Sequence, residues 1–341
     1  MEVNITTPNK SYDILINKLP QITIDKKVAV ITNPTVAGYH LSYLLNHLKA
    51  KELKIITLPD GEEYKTMEYI TYALERMFDA KYDRNSVIIA FGGGVIGDMS
   101  GFAASIFLRG IEFIQIPTTL LAMVDSSVGG KTGINNKYGK NLIGAFYQPE
   151  AVYIDTHFLS TLPKREFAAG MAEVVKMAVM FDKEYFENLE NDSLSIEEII
   201  KRSVELKAWV VNQDEKEKGI RSVLNYGHTF GHVIENLTNY KTYLHGEAVA
   251  IGMIMANELS VELGYLNKEE AKRIKKLLEK HNLPTYYKIK DTEEFYEHFF
   301  ADKKTQNNKI KFIIPEIIGK YRIVENIDKE IIMKVLEKFA K

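Results

Sequence analysis

The sequence predicts an α/β N-terminal domain built on a parallel sheet, joined to a mainly α-helical C-terminal domain. Three observations predict it. Short β-branched runs alternate with helix-spaced segments early in the chain, as strand, helix, strand units require. A glycine-rich turn follows the third of these runs directly and opens a helix of small residues. From Pro163 to about His281 the apolar spacing is helical throughout. The boundary therefore falls near residues 159–163, giving domains over 1–160 and 161–341.

A chain of 341 residues is long enough for two domains, since single cores stop growing near about 250–300 residues. The formal net charge of −2 excludes a global attraction to nucleic acid or anionic lipid. There is no cysteine, which excludes disulfides, thiolate ligands and a cysteine nucleophile, and leaves His and carboxylate as metal ligands. No apolar run has the length of roughly 18 residues that a spanning helix needs. The opening M-E-V-N-I-T lacks the basic and apolar regions of a signal peptide. The expectation is a cytoplasmic protein with neither membrane nor nucleic acid as partner.

Residues 28–32 (V-A-V-I-T) read as a strand ending at Asn33-Pro34, residues 41–53 as an amphipathic helix and residues 54–58 (K-I-I-T-L) as a second strand. The polar turn D-G-E-E-Y-K at 60–65 comes next, at a strand end where open α/β sheets bind ligands. Taken alone, it reads as a turn that caps the helix of residues 67–78. The third strand, residues 86–91, runs into G-G-G-V-I-G-D at 92–98, where Gly92, Gly94 and Gly97 meet G-x-G-x-x-G. Glycines let the backbone approach a diphosphate, and the following helix start supplies amide donors. This is the setting of a Rossmann-like dinucleotide turn. The acidic residue that usually grips the adenine ribose has no good counterpart, because Glu112 opens the next strand. Asn33, Asp60 and Glu62 remain as residues for that task.

After Arg109 and the strand I-E-F-I-Q-I-P, residues 118–141 are rich in Gly, Ser, Thr and Asn. Gly130-Lys131-Thr132 resembles the end of a Walker A loop, but Asp125 stands where its opening glycine belongs, so that reading fails. The stretch reads as a long polar loop, too long for a mere connector. With Asp125, Lys131, Lys137 and Lys140 it suits an anionic ligand.

Residues 221–247 hold three of the eight histidines. Val223, Tyr226, Phe230, Val233, Ile234 and Leu237 recur at helical spacing, so His228 and His232 share a helix face. His245 precedes a second apolar run at 249–255. Imidazoles from two helices plus one carboxylate make a catalytic metal set with a position open for substrate. A polar helix face would show the same spacing, and no H-E-x-x-H is present. Glu173 is the carboxylate candidate. It lies three residues before Lys176 in a small, apolar stretch that does not read as surface. Lys207, Glu217 and Arg221 precede the histidines. A-D-K-K at 301–304, a strand at 309–315 and a helix at 329–340 close the chain.

A metal beside a nicotinamide argues for hydride removal from an alcohol. The many candidate cations argue for a small, strongly anionic substrate carrying phosphate, carboxylate or both.

These motifs resemble the 3-dehydroquinate synthases of the sugar phosphate cyclase superfamily. The resemblance covers D-G-E-x-x-K at 60–65, G-G-G-V-x-G-D at 92–98, and P-T-T-L-L-A-M-V-D-S-S-V-G-G-K-T-G-I-N from Pro117. It continues through G-K-N-L-I-G-A-F-Y-Q-P at 139–149, A-x-x-x-K-x-A around Glu173, L-N-x-G-H-T-F-G-H, and L-H-G-E. The resemblance implies a Rossmann-like NAD-binding domain (1–160), a helical metal- and substrate-binding domain (161–341), a homodimer, NAD, and a divalent metal, zinc or cobalt.

It further implies a cofactor site of Asp60, Gly61, Glu62, Glu63, Tyr64, Lys65, Gly94, Val95, Ile96, Gly97, Asp98, Thr118, Thr119, Lys131, Lys140, Phe158, Leu159, Ser160 and Thr161. Glu173, His228 and His245 would hold the metal, while His232 takes an acid/base and phosphate-side role. Asp125, Lys131, Asn141, Lys176, Lys207, Arg221, Asn225, His232 and Lys303 would bind substrate, Lys303 being favoured over Lys304. Glu217 joins His232, Lys176, Lys131 and Asp125 in the chemistry, and Arg109 would reach the neighbouring subunit's phosphate site. Asn136 stands where relatives often have histidine, within otherwise matching neighbours.

The implied reaction converts 3-deoxy-D-arabino-heptulosonate 7-phosphate to 3-dehydroquinate and phosphate, in the shikimate route to aromatic amino acids. It runs through transient oxidation, phosphate elimination, re-reduction and aldol closure, so the enzyme is a lyase. Other cyclases, such as 2-deoxy-scyllo-inosose synthase or an aminodehydroquinate synthase, share the cofactor and metal residues. A metal- and NAD-dependent polyol dehydrogenase would instead produce NADH.

Overall fold

The computed structural model describes residues 1–301 and 310–340. It divides into two units, Met1–Pro163 with Ile196–Lys216, and Lys164–Ser195 with Glu217–Lys341.

The first unit starts with β1 (Glu2–Thr6), β2 (Ser11–Asn17) and β3 (Ile22–Thr32), then α1 (Pro34–His47) and β4 (Leu48–Thr57). It continues with α2 (Met67–Asp79), β5 (Val87–Gly92), α3 (Gly94–Ile106) and β6 (Glu112–Pro117). A hairpin of β7 (Lys131–Asn136) and β8 (Gly139–Phe146) precedes β9 (Ala151–Asp155). The chain then makes α4 (Lys164–Phe181) and α5 (Lys183–Glu190) of the second unit before α6 (Ile196–Gln213) returns to the first.

Seven strands form one sheet in the order β1-β2-β9-β6-β5-β3-β4. Every pairing is parallel except β1 with β2. All six residues of β5 are buried, as expected of a central strand covered on both faces. From β3 the chain steps outward to β4, then crosses to the other side of β3 for β5 and on to β6. The direction of winding thus reverses between β3 and β5. Open parallel sheets bind ligands at such a reversal, beyond the strands' C-terminal ends. The turn at residues 92–94 lies there.

Three expectations are corrected. The helix expected over 41–53 runs instead over Pro34–His47, and β4 already starts at Leu48. Asn33 caps that helix by accepting from the Val36 amide at 2.8 Å, and Pro34 fits its first turn. Ladder pairing from Ile22↔Leu48 onward draws the following residues into strand. Residues 118–141 are not a long loop: a π-helical turn (Ala122–Ser126) leads into the antiparallel β7/β8 hairpin. Glycine hid those strands. A Cβ on Gly133 would come within 2.6 Å of the Ile143 carbonyl oxygen, so the strands pair through positions without side chains. Finally, a single cut at residue 160 does not describe the units, because α6 packs on β1, β2 and the Ala122–Ser126 turn.

In the second unit a 3-10 turn (Ile220–Asn225) precedes α7 (His228–Leu237), α8 (His245–Glu262), α9 (Lys268–Lys280) and α10 (Thr292–Ala301). A hairpin of β10 (Lys311–Ile317) and β11 (Lys320–Glu325) and a final α11 (Lys329–Glu337) follow. Helix α8 is apolar and buried on most of its faces, as the central element of a helical core is. It packs against α4, α7, α9, α11 and β10. Among the described residues no helix is long and apolar enough to cross a membrane.

Candidate active site

Three elements of the second unit converge on one cluster. Helix α4 carries Glu173, α7 begins at His228 and α8 begins at His245. The close approach of α7 and α8 needs glycine: a Cβ on Gly252 would lie 2.0 Å from the carbonyl oxygen of Gly227, whose φ of +81° also favours glycine. Likewise a Cβ on Gly246 would lie 2.0 Å from the Ala169 carbonyl oxygen of α4.

One ligand atom from each of Glu173, His228 and His245 falls within 4.8 Å of the others. His228 Nε2 and His245 Nε2 lie 3.8 and 3.7 Å from Glu173 Oε1. Around a tetrahedral ion with bonds of about 2.0–2.2 Å, ligand atoms stand roughly 3.4 Å apart, so small movements complete the set. Both Glu173 oxygens are buried without an accepted hydrogen bond, although the Lys176 ammonium lies against Oε2. Oε1, which both histidines approach, is the oxygen left for a further cation. His228 Nδ1 is 3.2 Å from the Tyr226 carbonyl, which can only accept, so the proton sits on Nδ1 and the lone pair on Nε2. Burial, reinforced by Lys176, His245 and His232, holds His228 well below the ordinary histidine pKa and keeps it neutral, as ligation requires.

His232 is one turn beyond His228 on α7, with ring centroids 5.5 Å apart. Lys176 and Arg221 are buried cations of the same unit. Glu217, in a left-handed conformation at φ +54°, accepts from Asn225 Nδ2 at 2.9 Å.

In the first unit the turn after β5 starts α3, whose first-turn amides have no intrahelical acceptor. The glycine at 97 permits close helix-to-sheet packing, since a Cβ there would lie 2.8 Å from Gln115 Oε1 on β6. The 60–65 turn is tied to its surroundings by Lys65, which donates to Asp98 Oδ2 at 2.6 Å and to Asn141 Oδ1 at 2.5 Å. Burial works against the Lys65 ammonium, but the Asp98 and Glu62 carboxylates outweigh it and raise its pKa. Burial likewise pushes the Asp98 carboxyl up, and Lys65 opposes that rise. Glu62 accepts from Asn135 Nδ2 at 2.7 Å, and Asp60 accepts from Asn33 Nδ2 at 3.0 Å. Lys207 of α6 donates to Asp125 Oδ1 at 2.6 Å, holding the Ala122–Ser126 turn. Thr118 is buried beyond the end of β6, Lys131 opens β7, Lys140 lies in β8, and Phe158 to Thr161 fall within a 3-10 segment, Thr156–Thr161.

The sequence matches the family model for the 3-dehydroquinate synthase N-terminal part over residues 55–169 and that for its C-terminal part over residues 170–305. The chain belongs to the 3-dehydroquinate synthase family. A 3-dehydroquinate synthase of Sulfurovum sp. (strain NBC37-1) is 68% identical over 337 residues, spanning 98% of this chain and 96% of that protein. Among solved structures, 2-deoxy-scyllo-inosose synthase complexed with carbaglucose-6-phosphate, NAD+ and Co2+ is similar at a TM-score of 0.87 and 26% identity, over 99% of this chain and 100% of that one. The 2-epi-5-epi-valiolone synthase of Streptomyces hygroscopicus subsp. jinggangensis 5008, with NAD+ and Zn2+ bound, is similar at a TM-score of 0.87 and 26% identity, over 98% of each chain.

Of the site residues the family resemblance implies, the second unit gathers Glu173, Lys176, His228, His232 and His245, with the Glu217–Asn225 pair in the same unit. The first unit joins Lys65, Asp98 and Asn141 in one network and Asp125 with Lys207 in another. Arg109 is exposed at φ +74° after α3. Lys303, like Lys304, lies outside the described residues. Two arrangements around the cluster had no place in the sequence reading. Glu235 stands behind His245, with its Oε1 3.3 Å from Nδ1. Arg165 clamps Glu247 through two 2.7 Å hydrogen bonds, and Glu247 in turn caps the Leu244 amide at the start of α8. Spacing offered a signal for the first: Glu235 is seven residues after His228, on the same helical stripe.

Proposed function

We propose that the chain converts 3-deoxy-D-arabino-heptulosonate 7-phosphate to 3-dehydroquinate and phosphate, as a carbon-oxygen lyase of the shikimate route. The observation that carries this reading is the Glu173, His228 and His245 cluster, gathered on a buried carboxylate oxygen, Oε1, that accepts no hydrogen bond, in a member of the 3-dehydroquinate synthase family.

Glu173, His228 and His245 would hold a divalent metal, zinc or cobalt, and the turn at 92–98 with the 60–65 segment would hold NAD. When bound, these groups supply reversible oxidation of one substrate hydroxyl. The chain's own residues do the rest. Lys176, Lys207 and Arg221 meet the substrate's anionic groups from buried positions, where each charge acts more strongly than in water. His232 moves a proton on the phosphate side, and Glu217, oriented by Asn225, serves in proton transfer. Asp125, Lys131, Asn141 and Lys303 complete substrate binding, Lys140 contributes to the cofactor site, and Arg109 serves the phosphate site of the other copy in a homodimer. The biosynthetic role of the family supports a cytoplasmic setting.

The test is a phosphate-release assay with the heptulosonate substrate, NAD and metal, with and without chelator. Chelator-sensitive phosphate release with no net change at the nicotinamide absorbance band is expected. Net NADH accumulation with a polyol would favour a dehydrogenase, and turnover of glucose 6-phosphate instead of the heptulosonate would favour the inosose-forming reaction.

A further inference from the structure

We propose that Glu235 is a positioning residue for His245: its carboxylate holds the Nδ1 proton, so that Nε2 presents its lone pair toward Glu173. The inference rests on the metal-site reading above and deepens it.

Glu235 lies in the last turns of α7 between the buried Ile234 and solvent-facing Asn236, and is itself only 3% exposed. An ionised carboxylate at that depth is retained only with hydrogen-bonding partners. Its Oε1 stands 3.3 Å from His245 Nδ1. Because a carboxylate can only accept, that contact assigns the proton to Nδ1 and the lone pair to Nε2. Nε2 is in turn 3.7 Å from Glu173 Oε1, too far for a direct hydrogen bond and the right side for a shared cation.

The two candidate histidine ligands are therefore fixed differently. His228 is held by a main-chain carbonyl, that of Tyr226, which no substitution removes. His245 is held by a side chain, so its tautomer and ring orientation depend on residue 235. A carboxylate behind a ligand also makes the ring a stronger donor than a carbonyl does.

The experiment uses metal-free full-length protein titrated with cobalt(II), together with 15N spectra of the histidine rings before metal is added. Wild type should show the His245 proton on Nδ1. Glu235→Gln should weaken cobalt(II) binding by about 10–100-fold and change the His245 nitrogen shifts, with His228 unchanged. Glu235→Asp, which keeps the charge, should recover part of the affinity. Unchanged cobalt(II) affinity in Glu235→Gln, or a wild-type His245 protonated on Nε2, overturns the proposal. Should Glu235→Gln fail to fold, the wild-type 15N spectrum decides alone. Failure of the underlying reading looks different: wild type itself would not bind cobalt(II), or His245→Ala would bind it fully.

Discussion

A Cβ on Gly252 would stand 2.0 Å from the carbonyl oxygen of Gly227, so the middle of α8 meets the residue that precedes α7 through bare backbone. That contact sets the spacing of His228 and His245, the residues that begin the two helices. Gly252→Ala should force the helices apart, lower stability by about 1–3 kcal/mol as overpacking does, and weaken metal binding in parallel. Urea unfolding and metal titration of the same variant check both effects. Unchanged values in both would show that the contact does not govern the cluster.

Two histidines four residues apart on α7 should behave differently. His228 and, from α8, His245 cluster with Glu173, and His232 lies one turn beyond His228. His245→Ala should lose metal and activity together. His232→Ala should keep its metal and lose about 10²–10⁴-fold in kcat, the range for removing a general acid or base. Metal content by elemental analysis, measured beside kcat, separates the two. Full metal retention in His245→Ala would remove it from the ligand set.

Lys65 is buried between Asp98 and Asn141. Lys65→Met should leave the Asp98 carboxyl without its cation and cost about 3 kcal/mol, the lower end for breaking a buried pair, because Asp98 keeps part of its surface wet. Adding Asp98→Leu should restore much of that loss. Denaturant midpoints of the single and double variants test it, and a double variant no more stable than the single one would refute the pairing argument.

At the C-terminal end of α8, Glu262 accepts from Lys334 and Lys338, and these hydrogen bonds lower its pKa to about 2. A carboxyl whose folded pKa is depressed adds stability above its unfolded pKa, and that contribution fades as pH falls toward the folded value. Glu262→Gln should therefore lower Tm near neutral pH. The gap to wild type should close between about pH 4.3, the unfolded value, and about pH 2. Because the site is wet, the effect should stay below about 1 kcal/mol. A gap independent of pH would show that the ion pairs contribute nothing.

The core of the fold was legible where side-chain pattern and backbone demand agree. Residues 86–98 read as strand, glycine turn and helix, and the structure has β5, the turn and α3 there. Helix α2 was placed to within a residue at its C-terminal end. The pattern failed where tertiary pairing decides. Residues 48–53 carry helical spacing yet pair with β3, and β7 and β8 hide behind Gly133 and Gly144, which pack by having no side chain. Helix α6 looked like a continuation of the helical half because periodicity records which face is apolar, not which unit covers it. At the site, the ligand residue types were readable from histidine spacing and an odd carboxylate in an apolar stretch. Spacing left His228 and His232 equivalent, since both lie on one stripe, and the family resemblance alone told them apart. His228, the first residue of α7 after Gly227, brings Nε2 to 3.8 Å from Glu173 Oε1.

His228 and His245 each occupy the first residue of a helix. Aligned peptide dipoles make such ends electropositive, so the main chain works against a dication there and its retention falls to lone pairs and carboxylates. The same polarity welcomes negative charge on a substrate oxygen that sheds its proton nearby. Glu173, His228 and His245 would thus grip a cation against the backbone field, while the same amide rows would favour negative charge on a neighbouring oxygen.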